Sequence, residues 1–190
     1  MARPTRFVVP MLLAAALASA CAGRAARDAP TPAPAAAPAS AMTSAVVRDR
    51  IILAGQPTVA DLEAWRAQGV TTVFNLRTAA EIDDRDVVPF DEAAQAAALG
   101  FDYRHQPIGG KAHPYRPEVL EAFAASVAAS DGPVLLHCGT GVRAGLLYAA
   151  YAVKHLGRSP DEAMRDLEPL GLWPLPLEQL TGIELSLERR

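Results

Sequence analysis

The strongest constraint on this chain is an alternation. Short runs of β-branched and apolar residues are followed repeatedly by segments with helical spacing. The run at Ile51 ends in the turn Gly55-Gln56-Pro57. Thr58 then caps a helix with Leu62 and Trp65 on one face and Gly69 as its stop. Residues 70–77 read as a strand, 91–100 as a helix ending at Gly100, 101–108 as an alternating strand, and 116–130 as a helix with Pro117 in its first turn. The run "PVLLHC" is a buried strand. A loop follows, then a helix through His155, another opening at Ser159-Pro160, and a last helical stretch from Leu177. Strands that alternate with helices imply an α/β domain with a mainly parallel sheet of about four or five strands flanked by helices. In such sheets chemistry gathers beyond the carboxyl ends of the strands, where loops feed helix N-termini.

That alternation occupies only part of the 190 residues. The chain opens with Arg3 and Arg6, an apolar stretch over Phe7–Ala20 that contains Pro10, and small residues up to Cys21. A spanning helix needs about 20 apolar residues, so residues 1–20 read as a signal peptide rather than a permanent anchor. Ala18-Ser19-Ala20 followed by Cys21 resembles a bacterial lipobox, with Ala18 where leucine is commonest. If Cys21 is lipidated, the protein hangs from a membrane; if not, it is released with an extra thiol. Residues 22–44 are mostly Ala, Pro, Arg, Ser and Thr, with nothing to build a core, and read with Cys21 as a tether over 21–44. Fully extended, a run of that length reaches about 70 Å at roughly 3.1 Å per residue. The folded domain is then 45–190, and the expected location is the periplasm, on a lipid anchor that is the only membrane contact.

Losing the positive charges of Arg3 and Arg6 takes the formal charge from −3 to −5, which disfavours non-specific nucleic-acid binding. The histidines 105, 113, 137 and 155 lack ligand spacing, so neither a metal nor another cofactor is expected.

The two cysteines are Cys21 and Cys138. With the first acylated, the second has no partner within the chain. In an exported protein this makes Cys138 either a small buried hydrophobe or a group with chemistry. Its neighbours favour chemistry. Cys138-Gly139-Thr140-Gly141-Val142-Arg143 joins a strand to a helix. Two glycines let successive N–H groups turn inward, the helix start adds the positive end of its dipole, and Arg143 supplies a planar cationic fork suited to an oxyanion. Together these favour a thiolate and an anion beside it.

"VLLHCGTGVRAG" resembles the signature loop of cysteine-dependent protein tyrosine and dual-specificity phosphatases. "GQPTVADLEAWRAQGVTTVFNLRTAAE" resembles the upstream part of the phosphatase-like domain of bacterial beta-lactamase hydrolase-like proteins, with its G-Q-P opening, a strand ending N-L-R, a glutamate shortly after and a C-x-x-G-x-R loop. The resemblance spans roughly Ile51 to Leu156. It implies a phosphatase-like fold in which Cys138 is the nucleophile, Arg143 the oxyanion clamp, and the amides of Gly139, Thr140, Gly141, Val142 and Arg143 the cradle. His137 would help poise the thiolate, Arg77 would be a second positive group, and Glu81 would orient one of the arginines.

Three departures from the usual phosphatase pattern keep a second chemistry open. Four residues, rather than five, separate the cysteine from the arginine, a spacing familiar in rhodanese-like sulfurtransferases. Ala144 replaces the hydroxyl residue that usually follows the arginine. The loop "GGKAHPYRPE" lacks the aspartate general acid, leaving His113, with Asp83, Asp84 and Asp86 as remoter proton donors. The expected activity is hydrolysis of a phosphoester through a phospho-cysteine. A sulfurtransferase or persulfide carrier using the same cysteine is the alternative, and a non-catalytic anion-binding module a third reading. The partner is accordingly a phosphorylated or sulfur-carrying substrate.

Overall fold

In the computed structural model, residues 45–167 and 175–184 are described. The expectations for residues 1–44, Cys21 included, lie outside them. The run Val134–His137 (β5) is buried at every position and lies at the centre of a five-stranded sheet. On one side it pairs in parallel with Ile51–Ala54 (β2), and on the other with Thr72–Asn75 (β3). Asp102–His105 (β4) extends the sheet in parallel beyond β3, while Val46–Arg48 (β1) adds an antiparallel edge beside β2, giving the order β1-β2-β5-β3-β4. The expected mainly parallel sheet of about five strands is what forms. The edge strand β1 was not foreseen: Asp49, at φ 53°, turns the chain within two residues, too short a break to divide the apolar run in sequence.

Side chains alternate along each strand and build two cores. Leu53, Phe74, Leu76, Val134 and Leu136 meet Pro117–Ala129 (α4) and Val142–Leu156 (α5). Pro160–Leu167 (α6) and Leu175–Thr181 (α7) close that core through Ala163, Leu177 and Leu180. On the other face Ile52, Val73 and Leu135 meet Leu62 and Trp65 of Val59–Ala67 (α1) and Ala96 of Glu92–Ala98 (α3). The cap expected at Thr58 is present as a reciprocal capping box with Asp61. The short helix Ala79–Asp83 (α2) was not foreseen. Its local signal is Thr78-Ala79-Ala80-Glu81, a capping box like the first. The sheet directs the carboxyl ends of β2, β3, β4 and β5 to one rim, where the loops 55–58, 76–78, 106–116 and 138–141 gather.

Candidate active site

Cys138 is the first residue past β5, and its backbone N–H still reaches Ala54 O at 3.3 Å. The side chain is buried, and Sγ accepts a hydrogen bond from Gly141 N at 3.1 Å. Gly141 caps α5 at φ 90°, a left-handed conformation that costs an L side chain about 1–2 kcal/mol. Glycine at 141 therefore lets the chain turn back on the sulfur. α5 begins at once, so the positive end of a 15-residue helix abuts the loop. Thr140 is exposed and Gly139 half-buried, while Val142 packs on the α4–α5 core.

Arg143, on the first turn of α5, is held by four hydrogen bonds to three residues. Its Nη1 donates to Glu81 Oε2 at 2.9 Å, Ile108 O at 2.6 Å and Leu76 O at 3.3 Å, and its Nη2 to Glu81 Oε1 at 2.6 Å. Glu81 thus orients Arg143 by a two-pronged pair. The Arg143 hydrogen bonds hold the Glu81 carboxyl at about 2 against the pull of partial burial, helped by donors from Thr78. Burial works against the charge on Arg143, but Glu81 and the nearby Cys138 outweigh it, so its pKa is raised.

Arg77 is only 4% exposed, so it is not a surface arginine. Its Nη1 donates to Gln56 Oε1 at 2.9 Å and its Nη2 to Glu81 O at 3.1 Å. A Cβ placed on Gly139 would lie 3.7 Å from Nη1 of Arg77 and 3.7 Å from Nη2 of Arg143. Both guanidinium groups therefore flank the start of the loop.

His137 requires a correction. It is in register with Ala54 and Asn75, so its side chain shares their face of the sheet, whereas Cys138 joins the opposite core. Its Nε2 lies 2.8 Å from Glu92 Oε1, off the line of a good hydrogen bond, and neither ring nitrogen hydrogen-bonds the sulfur. A direct role in poising the thiolate does not fit this geometry.

His113 is half-buried in the loop after β4, where its carbonyl accepts from Gly109 N at 2.6 Å. A Cβ on Gly109 would stand 3.4 Å from Arg143 Nη1, so this loop closes directly on the clamp. Asp83, Asp84 and Asp86 are exposed at the end of α2, with Asp84 Oδ1 accepting from Asp86 N. Tyr115, which no sequence motif singles out, is half-buried against the core and close enough for the charges of Arg143 and Cys138 to act on it. Burial raises its phenol pKa, the cysteine adds to that, and the arginine opposes it. Gln56, Asn75 and Glu92 also emerge only from the structure, because their contacts join segments far apart in sequence. Among the described residues no grouping of His, Cys, Asp and Glu could hold a metal ion.

A cysteine at a strand-to-helix turn, an amide on its sulfur and a clamped arginine make this rim a cysteine-based anion loop. Comparison with known proteins gives the family. The model of the phosphatase-like domain of beta-lactamase hydrolase-like proteins matches residues 43–154, and the chain belongs to that family. Beta-lactamase hydrolase-like proteins of Agrobacterium fabrum and Xylella fastidiosa are 32% identical over 131 residues and 31% identical over 105. Those matches cover 66% and 54% of this chain but only 27% and 23% of the relatives, so the chain spans about a quarter of their length. Among solved structures, a DUF442 protein of Shewanella putrefaciens superposes with TM-score 0.58 at 23% identity, over 74% of this chain and 90% of that one. PTPMT1 does so with TM-score 0.58 at 20% identity, over 70% and 89%. These two likenesses concern the fold.

Proposed function

We propose that the protein is a hydrolase that cleaves a phosphoester through a phospho-cysteine. The observation that carries this reading is the Gly141 amide on Cys138 Sγ, with Arg143 fixed beside it by Glu81. The Cys138 thiolate attacks phosphorus, an S–P bond forms and the P–O bond to the leaving group breaks. Arg143 and the amides of the loop bear the charge on the phosphoryl oxygens. The leaving oxygen takes a proton from His113, Tyr115 or water. Water then attacks the phospho-cysteine and returns a proton to the group that gave one, the S–P bond breaks, and phosphate departs with the thiolate restored. Gly139, Thr140, Gly141 and Val142 form the cradle, and Arg77 is the second cationic group.

Three features favour persulfide chemistry as the second reading: the four-residue loop, Ala144 after the arginine, and no aspartate in 106–116. A sulfane sulfur passed to Cys138 and on to an acceptor thiol needs no general acid. The deciding experiment incubates the full-length chain in parallel with an aryl phosphate and with thiosulfate plus cyanide. Phosphate release that disappears in Cys138→Ser supports the hydrolase. Thiocyanate formation lost in the same variant, without phosphate release, transfers the site to sulfur chemistry.

For residues 1–44 we propose export and lipid attachment at Cys21, which would hold the domain at a membrane facing the periplasm.

A further inference from the structure

Beneath the loop, on the face of the sheet opposite Cys138, lies a buried carboxylate that the proposed chemistry does not use. Glu92 opens α3 and is fully buried. Its Oε2 accepts from Gln56 Nε2 at 2.7 Å, and its Oε1 from Asn75 Nδ2 at 3.1 Å, with His137 Nε2 2.8 Å away. Burial pushes its pKa up, but the neighbouring His137 and donors from Gln56 and Tyr103 more than offset this and keep it below the ordinary carboxylate value.

The two amides carry the consequence. Each turns its NH2 toward Glu92 and therefore its carbonyl oxygen the other way. Gln56 Oε1 receives Arg77 Nη1 at 2.9 Å, and Asn75 Oδ1 receives Arg77 N at 2.7 Å. Gln56 also donates its backbone N–H to Gly139 O at 3.1 Å, which ties the same residue to the loop. Arg77 is thus fixed through both side chain and main chain by two amides whose orientation Glu92 sets together with Tyr103 Oη, which accepts from Asn75 Nδ2 at 2.9 Å, and Pro57 O, which accepts from Gln56 Nε2 at 3.2 Å. Its Nε is buried and has no hydrogen-bond partner among the described residues. A buried donor left unmet costs stability, so an arginine held this way is poorly explained as a structural brace. It is well explained as a cation kept beside the anion loop.

We propose that Glu92 is a positioning residue of the anion site: through Gln56 and Asn75 it holds Arg77 as a second guanidinium beside the 138–143 loop. The inference rests on reading that loop as an anion site, but not on turnover. Glu92→Gln supplies one acceptor where the carboxylate supplied two; Tyr103 still holds Asn75, so Gln56 is the amide that turns over and presents NH2 to Arg77.

The test measures how inorganic phosphate protects Cys138 of the full-length chain, in detergent, from alkylation by iodoacetamide, read by mass spectrometry on the Cys138 peptide. Phosphate protects the wild type. Arg77→Ala raises the half-protecting concentration by about tenfold or more, the loss of one charge-assisted contact. Glu92→Gln raises it severalfold in the wild-type background and leaves it unchanged in the Arg77→Ala background, because its effect passes through Arg77. Should Glu92→Gln fail to fold, Gln56→Met cuts the same link and must show the same dependence on Arg77. An absent shift, an equal shift in both backgrounds, or no protection of the wild type overturns the proposal. Protection without hydrolysis of any phosphoester would end the hydrolase reading alone. Hydrolysis with Glu92 and Arg77 uncoupled would end this one alone.

Discussion

Glu81 Oε2 accepts from Thr78 N at 2.8 Å and from Arg143 Nη1 at 2.9 Å, so the cap of α2 and the clamp on Arg143 share one carboxylate. Its pKa of about 2 lies below the value of about 4.3 expected in an unfolded chain. A folded value below the unfolded one means that the stabilisation is complete above about pH 4.5 and is lost as the pH falls toward 2. The lowered pKa of Glu92 acts in the same direction. Thermal melting of the full-length chain between pH 2 and 6 should therefore show a decline toward acid that is shallower in Glu81→Gln; equal slopes would remove Glu81 from the account. Arg143→Lys keeps a charge but cannot meet both Glu81 oxygens and a bound oxyanion. We expect kcat/KM for an aryl phosphate to fall by about 100-fold, the scale of losing one donor to a developing oxyanion. The strand-end place of Cys138 and the helix-start place of Arg143 were legible from the apolar run, the glycines and the short spacing, whereas the pairing of Glu81 with Arg143 was implied only by the family resemblance. The placement of His137 was not legible, although strand alternation alone sends it to the face opposite Cys138.

At the scale of elements, the strands that meet at β5 were legible from their apolar and β-branched runs, and the longer helices from their spacing. α2 was not, since five residues hold little more than one turn and show no periodicity. The network of Gln56, Asn75, Glu92 and Arg77 could not be read either, because it joins β2's loop, β3 and α3 only after the sheet has formed. One junction at the far rim of the sheet separates folding from chemistry. A Cβ on Gly132 would lie 2.5 Å from Gly69 O and 2.8 Å from Thr71 Cγ2, so the turn before β5 and the start of β3 touch there through backbone. Gly132→Ala should cost about 1–3 kcal/mol, since neither segment can easily withdraw. Differential scanning calorimetry should show a Tm lower by several degrees, with kcat/KM at 25 °C near that of wild type. An unchanged Tm would mean the two segments are not pressed together as described.

For the whole molecule, the described residues form one sheet between two helical layers, and among them no helix is long and apolar enough to cross a membrane. We propose that attachment is through lipid on Cys21. Wild type expressed in a Gram-negative host should partition into the detergent phase, and Cys21→Ser should not; wild type that stays aqueous with an unmodified Cys21 would refute the anchor. If Cys138 carries the phosphoryl group between substrate and water, it can be caught there. Full-length chain mixed with an excess of aryl phosphate is quenched in acid within the first turnovers and digested for mass spectrometry. One added phosphoryl group is expected on the peptide containing Cys138, absent in Cys138→Ser, and more abundant at steady state than in a variant with Ala144→Ser, which would speed release. Aryl phosphate hydrolysis that persists in Cys138→Ser, with no phosphoryl group on that peptide in the wild type, would contradict that role for Cys138.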